Sequence, residues 1–419
     1  MTGNVELKVS DFRAIHKADI LLNGITVIAG INGSGKSTLS KLLYHTFENA
    51  NHMDEISRDR FIKSITPLIE IYQQIRGTFP MLDGMREFSR NAYSNPAKAK
   101  EQLGMAFAAL QGGNAPEESQ RLQQIIRYNL RLREDEVVDA SVAQRVLDER
   151  HVAYDENRKK RPFKLLDEVV AAEFDQTSLA DQITLIEYGL PVFGKDVKSV
   201  PILHYIKNTN YIYSPLSVDL IHTGSFPVND SNFHLADCLT GDEVKDFDQE
   251  LYAHISRDIM RGEAFYAEDA SQLYFSRDDG QSFPLQECAT GIKSFAMLQL
   301  LLRNGFINDR SLIILDEPEA HLHPQWIVEY AKVIVDMNKR MGAKFFIATH
   351  NTDMVSALRY ISEKEETLDN LTYYQAEPTS DDGFRFDYRA LGTDIEPIFE
   401  TFNKSFDLIE KYGRDIQEI

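Results

Sequence analysis

Cysteine is nearly absent from the chain. Its 419 residues include two, Cys238 and Cys288, and these lack the C-x-x-C spacing of redox and zinc motifs. This count argues against a disulfide framework, and we expect a reducing compartment. Long apolar runs are also missing: no stretch approaches the roughly 20 residues of a membrane span, and the first residues, MTGNVELKVSDFR, do not form a signal peptide. The sequence predicts a soluble, cytoplasmic protein without a membrane partner.

Basic residues are fewer than acidic residues. The chain has 45 Lys and Arg against 65 Asp and Glu, a formal net charge of -20. A phosphate backbone repels such a chain, which argues against a general nucleic-acid coating protein. One dense basic run, NRKKRPFK at 157–164, remains. A solvated helix end or loop is the simpler interpretation, and a contact to nucleic acid or a partner is the alternative.

The clearest motif follows a short apolar run. The residues ITVIA at 25–29 predict a buried strand, and from Gly30 the chain fits G-x-x-x-x-G-K-[ST] before a helical pattern. The loop amides and the helix N-terminus suit phosphate oxygens. Lys36 is expected to reach the β and γ phosphates, and the Ser37 hydroxyl to hold Mg²⁺. The predicted nucleotide-binding residues of this segment are Asn32, Gly33, Ser34, Gly35, Lys36, Ser37 and Thr38.

A second apolar run, at 312–315, ends in two adjacent carboxylates and continues as DEPEAHLHP. It predicts either a metal site or the magnesium and water end of a nucleotide site. The phosphate-binding loop favours the second interpretation, because that loop needs a carboxylate for Mg²⁺ on a neighbouring strand. Asp316 is then expected to hold magnesium through water, and Glu317 to polarise the attacking water. His321 and His323 stand two residues apart, which makes a poor zinc pair on a helix.

Four segments in a fixed order carry a family resemblance: the glycine-rich loop, ATGIKSF, LDEPEAHLHP and FFIATHN. Together they resemble the ABC-type ATPase heads of the SMC, RecF and OLD groups, nearer to stand-alone bacterial ATPases than to membrane transporters. The resemblance covers about residues 1–45 and 200–375. It implies the α/β class, namely an ABC-type P-loop NTPase head with a mixed sheet and an antiparallel β-subdomain. It also implies ATP and Mg²⁺ as ligands.

The resemblance also implies roles for single residues. Phe12 and Arg13, in SDFRAIHKADI, match an aromatic-basic pair near the nucleotide base. Asp316 matches the Walker B aspartate, and Glu317 the catalytic base. His350, which closes the predicted strand KFFIATH, matches the switch histidine that senses the γ phosphate. Glu319–Pro324 occupies the D-loop.

The segment ECATGIKSFAMLQLLL at 287–302 matches the signature motif. In ABC ATPases this helix N-terminus faces the γ phosphate bound by the other subunit, so the resemblance implies a head-to-tail homodimer around two ATP molecules. Gly291 opens the predicted helix. Ala289 stands where a serine is usual, and Thr290 or backbone N–H groups are expected to replace its hydroxyl. Lys293 is a candidate phosphate contact across the dimer.

The spacing of the motifs predicts the domain organisation. Residues 1–45 and 200–375 form the expected head, and 46–199 a mainly helical insertion for dimer or partner contact, without heptads for a long coiled coil. LYFSRDDGQSFPL predicts a hairpin turning at Asp279-Gly280. Residues 376–419 are expected to close the head as a strand and helix. The 69 residues after His350 leave no room for a TOPRIM nuclease, and DSNFHLADC, interpreted as a loop, lacks the other groups of an HNH site.

Two functions from different classes follow. The first is the ATP-binding and hydrolysing subunit of a bacterial anti-phage defence complex, as in the Septu and PARIS systems, controlling a separate effector such as a nuclease. In that hypothesis any contact with nucleic acid is indirect. The alternative is a DNA repair or maintenance ATPase like RecF or SMC that binds duplex DNA directly, and the charge of -20 counts against it. A transporter subunit is disfavoured by the HLHP turn and the insertion.

Overall fold

The structure, a computed structural model, describes residues 5–78, 84–112, 116–130, 132–133, 136–214, 231–241, 247–379, 383–401 and 410–412. The chain divides into two compact units. The first combines Met1–Asn51 with Asp167–Ile419, and the second is His52–Leu166. Each unit has a hydrophobic core of its own.

The first unit contains two sheets in its described residues. The strands are β1 (Val5–Phe12), β2 (Ile15–Leu22), β3 (Ile25–Ala29), β4 (Ile183–Glu187), β5 (Leu190–Phe193), β6 (Asn208–Ile212), β7 (Gly262–Ala267), β8 (Gln272–Arg277), β9 (Ser282–Pro284), β10 (Ser311–Asp316), β11 (Lys344–Thr349), β12 (Leu371–Pro378) and β13 (Phe386–Gly392). The large sheet has ten strands in the order β5-β4-β1-β2-β13-β12-β3-β11-β10-β6. The small one is β7-β8-β9.

Helices make up the rest of the regular structure. They are α1 (Lys36–Asn51), α2 (Met53–Ser64), α3 (Thr66–Thr78), α4 (Met85–Ser94), α5 (Pro96–Gly112), α6 (Pro116–Leu130), α7 (Ala140–Lys160), α8 (Phe163–Ala172), α9 (Ser231–Thr240), α10 (Gln249–Ala253), α11 (Thr290–Arg303), α12 (Pro324–Met341) and α13 (Thr352–Lys364). A π-helix, His254–Met260, continues α10. None of the helices in the described ranges is long and apolar enough to cross a membrane.

The large sheet is mixed. Strands β12, β3, β11, β10 and β6 are parallel to one another, whereas β5, β4, β1 and β2 pair antiparallel. Strands β3, β10 and β11 are buried at every position. Their apolar, β-branched sequences suit parallel strands covered on both faces. The predicted α/β class with a mixed sheet and an antiparallel β-subdomain is confirmed.

The second unit is a bundle of α2 to α7 around its own core, in which Tyr72 stacks on Phe88 with ring centroids 4.3 Å apart. It is shorter than the 46–199 insertion that we expected. Residues 46–51 continue α1, and β4 pairs antiparallel with β1, so that β4 and β5 belong to the large sheet. The alternating burial of β4 explains this placement, because every second side chain points into the head.

The C-terminal segment also differs from the expected division. The boundary at 375/376 falls inside β12, which pairs parallel with β3. β13 lies between β12 and β2, so 376–378 and 386–392 form part of the sheet instead of closing it from outside. A short helix covers 396–401. Most of the predicted closing helix beyond it lies outside the described residues.

Two local predictions have different outcomes. The hairpin is confirmed, since β8 and β9 pair antiparallel and Gly280 has φ +86° in the turn. The loop interpretation of DSNFHLADC is wrong for its described part, because residues from Ser231 onward form α9. The buried side chains of Leu235, Cys238 and Leu239 give that segment an apolar helical face.

Candidate functional site

Parallel pairing brings three motifs to one edge of the large sheet. Asp316, the last residue of β10, lies beside Ala348 of β11, and Thr349 lies beside Ala29 of β3. The chain leaves these strands as the glycine-rich loop, the DEPE segment and His350. Ligands of open α/β sheets bind at the carboxyl ends of parallel strands. Residues that are far apart in sequence therefore meet at one edge.

The glycine-rich loop is shaped by two residues in the left-handed region. Gly33 has φ +80° and Gly35 φ +98°. A Cβ built on Gly35 would lie 2.9 Å from Ile15 Cγ1. Gly35 is therefore favoured both by its positive φ angle and by its close contact to β2. Tyr388 of β13 donates a hydrogen bond from its hydroxyl to the Ser34 carbonyl, at 2.8 Å. The sequence did not indicate Tyr388, because nothing local links β13 to this loop.

The Lys36 ammonium group lies inside the loop. Its Nζ donates to the carbonyls of Gly30, at 2.8 Å, and Ile31, at 3.0 Å. Burial lowers the pKa of Lys36, while the charges of Glu317 and of the neighbouring Asp316 and Glu319 act to raise it. The cation thus stands within the field of the acidic segment after β10, where a bound phosphate would replace the two carbonyls as acceptor.

Asp316 is a buried carboxylate, 6% exposed. Tyr211 of β6 donates to its Oδ2 at 3.1 Å, and Oδ1 has no hydrogen-bond partner among the described residues. Burial raises the pKa of Asp316, and the hydroxyls of Ser37 and Tyr211 oppose that rise. A buried carboxylate oxygen without a donor, beside a serine hydroxyl, fits the oxygen ligands that Mg²⁺ prefers. No local sequence pattern indicated the contact of Tyr211.

Glu317 and His350 face each other beside this carboxylate. His350 Nδ1 lies 3.2 Å from Glu317 Oε1, and both side chains are about 40% exposed. Glu317 has φ +52°, and its N–H donates to the Ala348 carbonyl at 2.8 Å. That left-handed turn leads the chain off β10 and leaves the carboxylate accessible to water. The pair has the geometry of a general base with an adjacent imidazole.

Glu319 lies behind that pair. Its Oε1 accepts hydrogen bonds from the Thr349 hydroxyl, at 2.6 Å, and from the His350 amide, at 3.3 Å. Burial raises the pKa of Glu319, with the Thr349 hydroxyl acting in the opposite direction. The D-loop assignment of this residue did not reveal these contacts. A third acid two residues after the acidic pair was the one local signal for them.

The segment matched to the signature motif begins α11 one residue before Gly291, where the sequence predicted the helix start. Thr290 is its first residue and donates from Oγ1 to the His321 carbonyl at 3.3 Å, which links the helix start to the DEPEAHLHP segment. Gly291 packs against Trp326, whose ring leaves no space for a Cβ. The Lys293 side chain is only 4% exposed. This burial argues against the predicted contact of Lys293 across the dimer, because a phosphate bound by a second copy would reach only groups at the surface of this chain.

The remaining predicted residues have separate positions. Phe12 is buried edge-on against Phe174, with centroids 5.5 Å apart. The Arg13 guanidinium lies 5.0 Å from the centroid of the same ring and donates to the Phe174 carbonyl at 3.3 Å. Asn32 is exposed on the loop, and Thr38 is partly buried in the first turn of α1. Phe12 and Arg13 thus form a cluster with Phe174, which the sequence did not predict.

The two histidines of the HLHP turn have backbone roles. His321 has φ +65°. His323 is the N-cap of α12, and its Nδ1 accepts from the Gln325 amide at 3.4 Å. A capping side chain satisfies one of the unpaired donors of a helix start.

One family model matches part of the chain. Residues 233–356 match the family described as "AAA domain, putative AbiEii toxin, Type IV TA system". This segment contains Gly291, Asp316, Glu317 and His350, but not the glycine-rich loop. Two curated proteins of Clostridium perfringens, the energy-coupling factor transporter ATP-binding proteins EcfA2 and EcfA3, are each 41% identical over 49 residues. The alignment covers 12% of this chain and 17% of each of those relatives.

Solved structures of low sequence identity cover most of the chain. The SMC head domain from Thermotoga maritima has a TM-score of 0.37 at 12% identity, covering 92% of this chain and 98% of that one. The Pyrococcus furiosus Smc head domain with an extended coiled coil, bound to the C-terminal domain of ScpA, has a TM-score of 0.36 at 12% identity, covering 98% and 100%. CbiO1 from Clostridium perfringens, part of the ABC transporter complex cbiONQ, has a TM-score of 0.34 at 12% identity, covering 100% of both chains.

The chain's own sheet, glycine-rich loop and acidic pair form the arrangement of a P-loop nucleotide site, and the matched segment 233–356 includes the acidic pair.

Proposed function

We propose that the chain binds Mg²⁺-ATP and hydrolyses it to ADP and phosphate. The observation that carries this proposal is the convergence of five groups at the carboxyl edge of β3, β11 and β10. They are Lys36, Ser37, Asp316, Glu317 and His350. The names of the Clostridium perfringens relatives, which include the words ATP-binding protein, support it as well.

Each side chain has a separate chemical role. Mg²⁺, when bound between Ser37 and Asp316, supplies positive charge to the phosphates. Lys36 leaves the loop carbonyls and pairs with phosphate oxygens. Glu317 accepts a hydrogen bond from the attacking water and orients it for in-line attack. His350 holds the Glu317 carboxylate through Nδ1, which leaves its other ring nitrogen, Nε2, for the γ phosphate.

The same proposal includes a head-to-tail homodimer. At the start of α11, Thr290 is partly exposed and Gly291 is buried, and Ala289 at the N-cap provides no capping side chain. Backbone N–H groups at such a helix start suit an anion from a second copy. We expect two ATP molecules at the interface, with further assembly of these dimers allowed. Because Lys293 is buried, we expect the contact across the interface to come from the backbone and from Thr290.

We further propose that this ATPase is a subunit of a bacterial anti-phage defence complex in the cytoplasm. In this role ATP controls a separate effector protein, a nuclease. The matched family description, which names a toxin and a TA system, supports a role of this kind. The helical unit of α2 to α7 is a candidate surface for the effector, because it has its own hydrophobic core and contains none of the five groups at the carboxyl edge of the sheet.

The experiment for the catalytic part compares Glu317→Gln and Lys36→Ala with the wild type. Phosphate release, nucleotide affinity and particle mass are measured with and without Mg²⁺-ATP. Loss of a general base lowers turnover by roughly 10²- to 10⁴-fold, so Glu317→Gln should bind ATP, barely hydrolyse it and accumulate as a dimer. Lys36→Ala should lose ATP binding and stay monomeric. Wild-type turnover by Glu317→Gln would refute the assignment of the base.

The experiment for the biological part expresses the chain with its chromosomal neighbours and compares complexes with and without ATP. Co-purification of a nuclease that is inactive only while ATP is bound supports the defence role. A bare homodimer whose turnover rises with duplex DNA supports the repair ATPase instead. Arg158 lies 3.9 Å from Asp54 and Lys160 lies 3.1 Å from Glu156, so neighbouring acids offset part of the positive charge that this alternative would use. Two of the five Lys and Arg residues of the basic run are thus paired with acids in exposed ion pairs.

A further inference from the structure

Glu319 is a buried acid that the mechanism above does not use. Its side chain is 4% exposed, and its Oε2 has no hydrogen-bond partner among the described residues. Placing a carboxyl group in the interior costs free energy that an apolar side chain of similar volume avoids. A position that keeps such a group next to the candidate base therefore points to a role for the remaining oxygen, Oε1.

The contacts of Oε1 all go to the end of β11. Thr349 donates its hydroxyl at 2.6 Å, the His350 amide donates at 3.3 Å, and the His350 imidazole Nδ1 lies 3.8 Å away. The same Nδ1 lies 3.2 Å from Glu317 Oε1. One oxygen of Glu319 thus accepts a hydrogen bond from the His350 backbone and also lies near Nδ1, the ring nitrogen that contacts Glu317.

The surrounding turn keeps Glu319 in place. The Leu322 amide donates to the Glu319 carbonyl at 3.0 Å. His321 in the same turn accepts from Thr290 at the start of α11. At the other end, the Asn351 amide donates to the Thr349 hydroxyl at 3.0 Å, and Asn351 caps α13. The Glu319–Thr349 hydrogen bond therefore joins the turn after β10 to the turn after β11.

We propose that Glu319 is a positioning residue for hydrolysis: through the Thr349 hydroxyl and the His350 amide it holds the His350 imidazole against Glu317. This inference rests on the proposed ATPase function and adds a residue to its site. It assigns Glu319 no contact with ATP or water. It separates the hydrolytic geometry, which depends on the Glu319–Thr349 bond, from nucleotide binding, which depends on Lys36 and the glycine-rich loop.

Loss of a supporting hydrogen bond behind a reactive group lowers activity by about 10- to 100-fold in metal sites, and we expect the same range here. The loss should appear in kcat, with the affinity for ATP changed less than about twofold, because the bond acts on the Glu317–His350 pair and not on the phosphate-binding loop. A purely structural role would instead lower stability and change binding and turnover together.

The test uses Thr349→Val, which removes the hydroxyl at nearly constant volume, and Thr349→Ser, which restores it. Thr209→Val is the matched control, because Thr209 is equally buried in β6 and its hydroxyl has no hydrogen-bond partner in the described residues. We expect kcat to fall with valine, to recover with serine and to stay at the wild-type value in the control. Steady-state kcat, KM and nucleotide affinity are measured for each purified full-length variant.

A double-mutant cycle makes the attribution to Glu319 specific. Thr349→Val also removes the acceptor of the Asn351 amide, so Glu319→Ala and the Glu319→Ala/Thr349→Val double variant are compared with it. Residues that act through one shared bond give non-additive losses, and the double variant should be no slower than the worse single variant. Independent, multiplying losses would overturn the inference, as would an unchanged kcat in Thr349→Val.

Failure of this inference is distinct from failure of the proposed function. Wild-type turnover that Glu317→Gln abolishes but Thr349→Val leaves intact removes only the role of Glu319. Absence of turnover in the wild type removes the ATPase proposal and this inference with it.

Discussion

Gly35 offers a measurement of how tightly the phosphate-binding loop is packed. Both Gly33 and Gly35 have positive φ angles, +80° and +98°. An added Cβ meets nothing within 4 Å at Gly33, whereas at Gly35 it lies 2.9 Å from Ile15 Cγ1 and 3.4 Å from the Tyr388 hydroxyl. Gly33→Ala therefore tests the backbone strain by itself, and Gly35→Ala tests strain plus a steric contact.

The expected magnitudes follow from these two terms. A residue other than glycine in a sparsely populated backbone region costs of order 1–3 kcal/mol. Forcing an extra carbon into a packed site costs typically another 1–3 kcal/mol. We expect Gly33→Ala to lower the free energy of unfolding of the head by about 1–2 kcal/mol, and Gly35→Ala by about 3–4 kcal/mol. A difference near 2 kcal/mol between the variants isolates the contact to Ile15.

Urea unfolding followed by the fluorescence of Trp326 is the assay. The chain has one tryptophan, and it lies in the head with its ring 5.5 Å from that of Phe295. The signal therefore reports the unit that contains the loop. Midpoint and slope are fitted for the wild type and both variants without nucleotide, so that ATP affinity does not enter.

Equal stability of the two alanine variants would refute the reasoning. It would mean that Ile15 moves aside without cost and that the glycine at 35 is needed only for its backbone angle. Greater loss in Gly33→Ala than in Gly35→Ala would contradict the placement of the loop against β2.

Two further predictions concern stability. Glu187→Ala removes a buried carboxylate that accepts from the amides at 204–206, at 2.9, 3.0 and 3.2 Å, and should lower the free energy of unfolding by about 3 kcal/mol in the same urea assay; a loss below about 1 kcal/mol would contradict this. Asp139 is the N-cap of α7, and the Ser141 hydroxyl, followed by the Val142 amide, holds the pKa of its carboxyl below the ordinary value. Because the folded-state pKa of Asp139 is lowered, the ionised cap stabilises the fold fully above the ordinary carboxyl pKa of roughly 4. This stabilisation is lost as the pH falls through the folded-state pKa. Asp139→Ala should lower stability by about 1 kcal/mol at neutral pH and by less at pH 3, measured by urea unfolding followed by circular dichroism. An equal loss at both pH values would contradict the ionised cap.

Local patterns predicted the parts of the site that are contiguous in sequence. The run ITVIA, the glycine-rich loop and the leucine-rich helix follow each other without a break, and all three form as β3, the loop and α1. The same holds for β10 with its acidic pair and for β11 before His350. In each case, strand burial and loop chemistry act within a few neighbouring residues, so that sequence spacing contains the information.

Contacts between distant segments were not predictable in this way. Tyr211 donates to Asp316, and Tyr388 to the Ser34 carbonyl, because β6 and β13 occupy particular positions in the strand order. The expected limits of the insertion differ from the helical unit for the same reason. The pairing of β4 with β1 assigns 183–193 to the head, although the chain reaches that segment after more than a hundred residues of helices.

The sequence by itself determined the class of the fold, the phosphate-binding loop and the acidic pair, because each depends on residues next to one another. Tertiary structure decided that Lys293 is buried, that Phe12 and Arg13 cluster with Phe174, and that Glu319 contacts Thr349 and His350. These outcomes depend on strand order and register. A shift of one residue in register turns every side chain of a strand to its other face, and the local sequence does not fix which distant strand will be the neighbour.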